Sequence, residues 1–360
     1  MLSAFPLPGS LYKEGALMKI IQVGYGYWGE SWMQFIADDP DTELAALVVR
    51  NGEKLRLAKE KWNLSDDQCF TDYDQALAVE ADLVLIVLPH CEHIPFARRA
   101  VLAGKDVLIE KPLCDDFQEA KDFWRWMAGR KERVFVSQNY RYRQELWQMR
   151  RGFSGEELGA LQFIQLTYRA GMTTDTREHE WNIQGWRGRQ VNMLCYEVCI
   201  HHFDMLRFLV GADVRRVYCT GWTPAWGLTD GPESIFVNLE FENGVNAQIA
   251  AHGCSVGAPT GFFGNWQVQG AKGLLCWTAG EGLVLHPAAD HPGTIPDAES
   301  CGLPGFDRAG VLRELHRAMA GESSTLPDLG DHLRSLAISE AVLRSTRERR
   351  VVGMAELLQD

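Results

Sequence analysis

Gly24-Tyr25-Gly26-Tyr27-Trp28-Gly29 follows directly on the apolar run KIIQV and opens the amphipathic stretch WGESWMQFIAD. A lone GxGxxG is a weak signal, but between a strand and a helix it dictates the first β-turn-α unit of a dinucleotide-binding sheet. The first glycine permits the tight turn, the second lets backbone approach a pyrophosphate, and the third lets the helix pack on the strand. Free N–H groups and the dipole at the helix N-terminus then favour the anion. The plainer reading, a glycine-rich turn without a ligand, is weakened by the strand and helix on either side.

The chain continues in the same alternation. TELAALVVR, ADLVLIVLP, KDVLIEKP and RVFVSQNYR read as strands, and EKLRLAKEKWN, EHIPFARRAVLAG and DDFQEAKDFWRWMAGR as helices. This is the pattern of βαβ units on a parallel sheet, and the unbroken apolar run Leu83–Leu88 suits a strand buried on both faces. After about residue 138 the texture changes to strand-like stretches joined by Gly, Asn and Pro, such as LQFIQLTYRAGM, ESIFVNLEFENG and VNAQIAAHGC. They predict a mostly antiparallel sheet, with helices at about 194–210, 308–320 and 331–347. The expected division is a leader or start-site artefact over 1–17, a dinucleotide-binding domain over 18–137, a substrate-binding and oligomerisation domain over 138–352, and a tail over 353–360.

Composition narrows the partners. The 360 residues carry Lys+Arg 36 and Asp+Glu 48, a formal charge of −12, with no clustered basic patch. That argues against nucleic acid and anionic membranes and for a small-molecule ligand. No apolar run approaches the roughly 18 residues of a membrane span. The nine cysteines show no CxxC spacing and read as reduced thiols of a cytoplasmic protein. His90, Cys91 and His93 match no standard zinc spacing, so no metal is expected.

The residue that ends the second strand selects the dinucleotide. An NAD site usually places a carboxylate about 20 residues beyond the turn, on the ribose 2′-hydroxyl. Here the strand ends Val49-Arg50-Asn51, with no carboxylate to repel a 2′-phosphate and a guanidinium able to pair with it. NADP(H) is therefore expected over NAD(H), with Arg50 and Asn51 at the ribose.

Several further motifs occur in a fixed order: Pro89 with His93, Glu110-Lys111-Pro112, Asn139-Tyr140-Arg141, Gly185-Trp186-Arg187, and Glu197-x-x-x-His201-x-x-Asp204. With the glycine turn they make the chain resemble the Gfo/Idh/MocA oxidoreductases over about residues 18–352. The resemblance implies a Rossmann domain followed by an α+β domain with a large open sheet, through which the chain would form homodimers or homotetramers. It also implies oxidation or reduction of a sugar, sugar acid, cyclitol or glycoside by a nicotinamide cofactor. On that resemblance Lys111 matches the active-site lysine and His201 the proton-transferring histidine, while Glu197 stands where the family most often has Asp. Leu88, Pro89, His93, Glu110, Asn139, Trp186 and Arg187 fall at the implied cofactor site, and Arg141 at the substrate site.

The residues themselves agree. Glu197, His201 and Asp204 are spaced i, i+4, i+7 on an otherwise apolar helix, so a polar stripe would need partners or a cavity. Tyr168, His179, Trp181 and Trp186 could wall a sugar ring, or equally fill a core or subunit interface. Glu197 in place of Asp keeps open a second reading, a catalytically silent NADP(H) sensor. A third is reduction of an imine or pyrrole-type substrate.

Overall fold

The computed structural model describes residues 17–171 and 191–359, which form two compact units. Among the described residues the first unit comprises 17–139 and 304–333, and the second 140–171, 191–303 and 334–359. The division is therefore not the single cut near residue 138 that the change of texture suggests. Residues 304–333 carry no strand pattern, so nothing in their periodicity announces that they return to the first unit.

In that unit β1 (Met18–Val23), β2 (Thr42–Val48), β3 (Cys69–Phe70), β4 (Leu83–Ile86), β5 (Asp106–Glu110) and β6 (Val134–Ser137) form one sheet in the order β3-β2-β1-β4-β5-β6. Every pairing is parallel. Parallel strands need crossovers, supplied by α1 (Tyr27–Asp38), α2 (Gly52–Trp62), α3 (Tyr73–Leu77), α4 (His93–Leu102) and α5 (Phe117–Met127). All four residues of β4 are fully buried, as a central strand covered on both faces requires. At the edge, Val136 N–H donates to Pro327 O at 3.0 Å and Phe135 bridges Asp328, so the returning segment covers the free side of β6.

The second unit is built on eight strands: β7 (Leu161–Arg169), β8 (Val214–Trp222), β9 (Ser234–Phe241), β10 (Asn246–His252), β11 (Asn265–Gly270), β12 (Gly273–Thr278), β13 (Gly282–Pro287) and β14 (Val352–Gly353). Their order is β13-β12-β11-β7-β10-β9-β8-β14, antiparallel except for the β7–β10 pair. One face alternates inward into a core containing Ile164, Leu166, Val237, Leu239 and Ile249. The outward face carries a row of uncharged amides in register across four strands, Gln267, Gln165, Gln248 and Asn238.

Three local expectations change. A helix over Gln144–Ser154, here α6, has no clear signal in the sequence, because its apolar Leu146, Trp147, Met149 and Phe153 are interrupted by Arg150 and Arg151. The helix expected over 194–210 begins as a π-helical turn, Leu194–Cys199, before continuing as α7 (Ile200–Val210). Residues 352–359 add β14, which pairs with β8, and a short helix, α10 (Ala355–Leu358), whose Leu357 is buried. The remaining helices are α8 (Arg308–Met319) and α9 (Leu329–Glu348). Among the described residues no helix is long and apolar enough to cross a membrane.

Candidate active site

In the first unit the three glycines of the turn meet three different surroundings. Gly24 has φ +103°, and a Cβ there would lie 2.1 Å from Val87 O, so the position takes glycine for both conformation and space. A Cβ on Gly29 would lie 2.5 Å from Gly24 O, which is the close helix–strand packing expected of the third glycine. Around Gly26 a Cβ would meet nothing within 4 Å. The protein thus leaves open the one position at which a pyrophosphate has to approach the backbone. Gly26 also caps α1 with no side-chain hydrogen bond, so the residues fit a dinucleotide phosphate at that helix end.

The turn is held from below by a residue that motif reading missed. Gln22, fully buried on β1, donates through Nε2 to Gly24 O at 3.0 Å and Gly29 O at 2.8 Å. Tyr25 accepts from Trp62 Nε1 at 3.0 Å and packs on the cluster of Met33, Leu47, Val49 and Leu55. Tyr27 is exposed and Trp28 half-buried. At the end of β2, Val49 is buried and Arg50 exposed, with no partner for its guanidinium among the described residues. Asn51 caps α2, accepting Lys54 N–H at 2.9 Å.

Further along the same edge, Leu88 and Pro89 leave β4 half-buried. His93 is buried with Nδ1 2.8 Å from Pro112 O and Nε2 2.8 Å from Leu88 O, tying the β4 end to the segment after Lys111. Burial pushes its pKa below the usual imidazole range, against the two carbonyls that favour the charged form. His90 is engaged with Asp115 at 3.0 Å. Among the described residues no group of three or more His, Cys, Asp or Glu is placed to hold a metal ion.

Lys111 follows β5, half-buried, and precedes Pro112 through a cis peptide bond. Its N–H donates to Glu110 Oε2 at 3.2 Å. Glu110 is buried, and its other oxygen accepts Trp32 Nε1 at 2.7 Å and Arg308 at 3.0 and 3.3 Å. Asn139, after β6, donates to Asp307 Oδ1 at 2.9 Å. Asp307 sits at φ +54°, ψ −130°, a conformation costly for a residue with a Cβ. Neither Arg308 nor Asp307 belongs to any motif, and only spatial proximity reveals them.

In the second unit His201 is buried and stacks on Tyr140, ring centroids 3.8 Å apart and planes 11° from parallel. Glu197 lies half-buried on the π-helical turn. Arg141, expected at the substrate, forms a buried two-pronged ion pair with Asp204, at 2.6 and 2.8 Å. Ser335 Oγ adds a third bond to Asp204 at 3.2 Å. A carboxylate on a buried helix needs such partners, and Arg141 supplies them. Tyr168 is fully buried on the inward face of β7, packed on His202. Burial pushes His202 down to about 4, with Nε2 3.1 Å from Phe262 O. His179, Trp181, Trp186 and Arg187 lie outside the described residues.

A parallel sheet in the order 3-2-1-4-5-6 with this turn defines a Rossmann-type dinucleotide-binding protein. The model of the oxidoreductase family with NAD-binding Rossmann fold matches residues 18–138, and that of the family's C-terminal alpha/beta domain matches residues 156–354. The chain belongs to the Gfo/Idh/MocA oxidoreductase family. It is 23% identical to inositol 2-dehydrogenase of Rhizobium meliloti over 77% of this chain and 82% of that one. It is also 23% identical to D-apiose dehydrogenase of Paraburkholderia graminis, covering 93% and 89%. An oxidoreductase from Agrobacterium radiobacter, solved with NAD+, L-tartaric acid and magnesium, shares the fold at TM-score 0.81 and 19% identity, covering 95% of this chain and 99% of that one.

Proposed function

We propose that the chain is an NADP-preferring dehydrogenase or reductase acting on a CH–OH or C=O carbon of a sugar, sugar acid, cyclitol or glycoside. The observation that carries this reading is the emergence of the GYGYWG turn and the Glu110-Lys111 segment from the same edge of one parallel sheet, with β4 between their strands. Ligands of such sheets bind at that edge. The inositol and apiose dehydrogenases among the relatives support the substrate class.

A bound nicotinamide dinucleotide would supply or accept the hydride. The turn would hold its pyrophosphate, with Leu88, Pro89, His93 and Asn139 lining the same edge. Lys111 would hold the substrate oxygen through its ammonium and stabilise charge developing there. His201 would take the hydroxyl proton in oxidation and return it in reduction. Glu197 would orient His201 or bind a neighbouring hydroxyl. Arg50, which has no partner among the described residues and lies beside the buried Val49, supports the 2′-phosphate preference.

The test is a sugar and polyol panel followed by absorbance of the reduced cofactor. Lys111→Met and His201→Ala each lower kcat by about 100-fold or more with dinucleotide binding retained. Arg50→Asp moves the kcat/KM ratio toward NAD by about tenfold or more. Unchanged turnover in both of the first two variants removes the catalytic assignment, whereas dinucleotide binding with no turnover on any member of the panel leaves the sensor reading.

We further propose a cytoplasmic homodimer or homotetramer, a second copy covering the outward face of the eight-stranded sheet. Phe163, Phe236, Tyr218 and Trp222 are exposed on that face beside the uncharged amide row, a surface with little to repel its own copy. Gln248→Arg places two like charges near each other in such a pair. Light scattering should show a smaller species for this variant, and an unchanged mass would dismiss the interface.

A further inference from the structure

Arg308 opens α8 with its side chain only 6% exposed and touches three functional segments at once. Nε and Nη2 donate to Glu110 Oε1 at 3.3 and 3.0 Å. Nη1 reaches Asp307 Oδ1 at 3.3 Å, the oxygen that also accepts from Asn139 Nδ2. The guanidinium carbon lies 4.7 Å from the ring centre of Trp28, inside the phosphate-binding turn, and 5.4 Å from that of Trp32. Trp32 in turn donates to the same Glu110 oxygen. Glu110's second oxygen holds the backbone N–H of Lys111.

We propose that Arg308 is a positioning residue that holds Lys111 in register with the dinucleotide turn. The proposal rests on the reading of Lys111 as the substrate-oxygen binder. The guanidinium uses two chemically different surfaces. Its edge is a charged donor that fixes the Glu110 carboxylate, and through it the first residue of the Lys111 segment. Its face is a cation–π platform under Trp28 that steadies the turn where the pyrophosphate sits. A buried ion pair is a weak source of stability compared with well-packed apolar groups. Its geometric specificity is what an apolar replacement could not supply. Asp307 extends the brace to Asn139 at the end of β6, so the ends of β5 and β6 and the start of α1 are tied to one side chain from outside the sheet.

The two surfaces separate by substitution in the full-length protein. Arg308→Met removes both, and should raise the dinucleotide Kd by about tenfold and lower kcat by about 10- to 100-fold, with substrate KM within about threefold. Arg308→Lys keeps a cation beside Glu110 but has no flat face, so it recovers much of kcat while Kd stays near the Arg308→Met value. Trp28→Leu raises Kd similarly, and the double variant Trp28→Leu/Arg308→Met is no weaker than the worse single, because both remove the same contact. Kd is read by calorimetry, kcat on the substrate found in the panel, and Tm checks folding. The proposal is overturned if folded Arg308→Met leaves Kd and kcat within twofold of the parent, or if the Trp28 and Arg308 effects on Kd multiply. Where Arg308→Met does not fold, Arg308→Lys and its combination with Trp28→Leu decide the same question through Kd. Turnover surviving in Lys111→Met removes the reading of Lys111, whereas the Kd cycle needs no turnover and judges the Arg308–Trp28 coupling by itself.

Discussion

Gly24 and Gly26 stand two residues apart in the same turn and answer to different demands. Gly24 is required by the fold: its φ of +103° and the 2.1 Å approach of Val87 O leave no place for a methyl group. Gly26 has φ −101°, which any residue adopts, and open space where its Cβ would be. Gly24→Ala should therefore cost about 3 kcal/mol or more of stability. Gly26→Ala should melt within a few degrees of the parent yet lose at least tenfold in dinucleotide affinity, since its methyl group occupies the phosphate's approach. Thermal melts and calorimetry on the two variants check both halves. The turn was legible in the sequence because glycine spacing records backbone geometry directly. Gln22, which pins the turn through two carbonyls, was not, because a glutamine inside an apolar strand carries no spacing signal of its own.

Elements inherit their reading from periodicity, and they depart from it where the hydrogen-bond pattern changes. The polar stripe Glu197, His201 and Asp204 assumes 3.6 residues per turn, but Leu194–Cys199 is π-wound, and such turns recur at functional sites. That winding is not the one the stripe assumes, and the stripe's members differ further in their partners. His201 stacks on Tyr140, while Asp204 is consumed by Arg141 and Ser335. Truncating one partner strands the other's charge inside the unit, so Asp204→Ala should cost about 3–5 kcal/mol. Arg141→Met/Asp204→Leu together should cost distinctly less than the sum of the two single changes. Denaturant titration of the three variants measures that coupling, and additive losses would show that the pair is not the unit described. The sequence could propose these residues for a site, but a pairing across 63 positions leaves no local trace.

At the scale of the whole molecule, both sheets could be read from strand texture, whereas the membership of residues 304–333 could not. Their helix is ordinary in pattern, and only contact reveals its role: Arg308 on Glu110, His316 within 3.1 Å of Asp39, Arg133 on Ala318 O at 2.6 Å, Pro327 on β6. Residues 18–139 expressed alone should lack a cooperative thermal transition, because Glu110 is left as a buried carboxylate without its cation and β6 as an uncovered edge. Joining 304–333 to that fragment through a flexible linker should restore the transition, followed by circular dichroism on heating. A fragment that melts cooperatively without the addition would refute this account.

The same discontinuity fixes an order of events during synthesis. The strands of the parallel sheet leave the ribosome first, yet Arg308 and the cover of β6 are translated only after the whole of β7–β13. The nascent dinucleotide-binding half must wait, with its Glu110 carboxylate and its last strand edge exposed, until more than half of the remaining chain has been made. On the positioning role proposed for Arg308, the capacity to capture cofactor should come only with near-completion of the polypeptide, and a chain terminated between the two sheets should leave the ribosome without it.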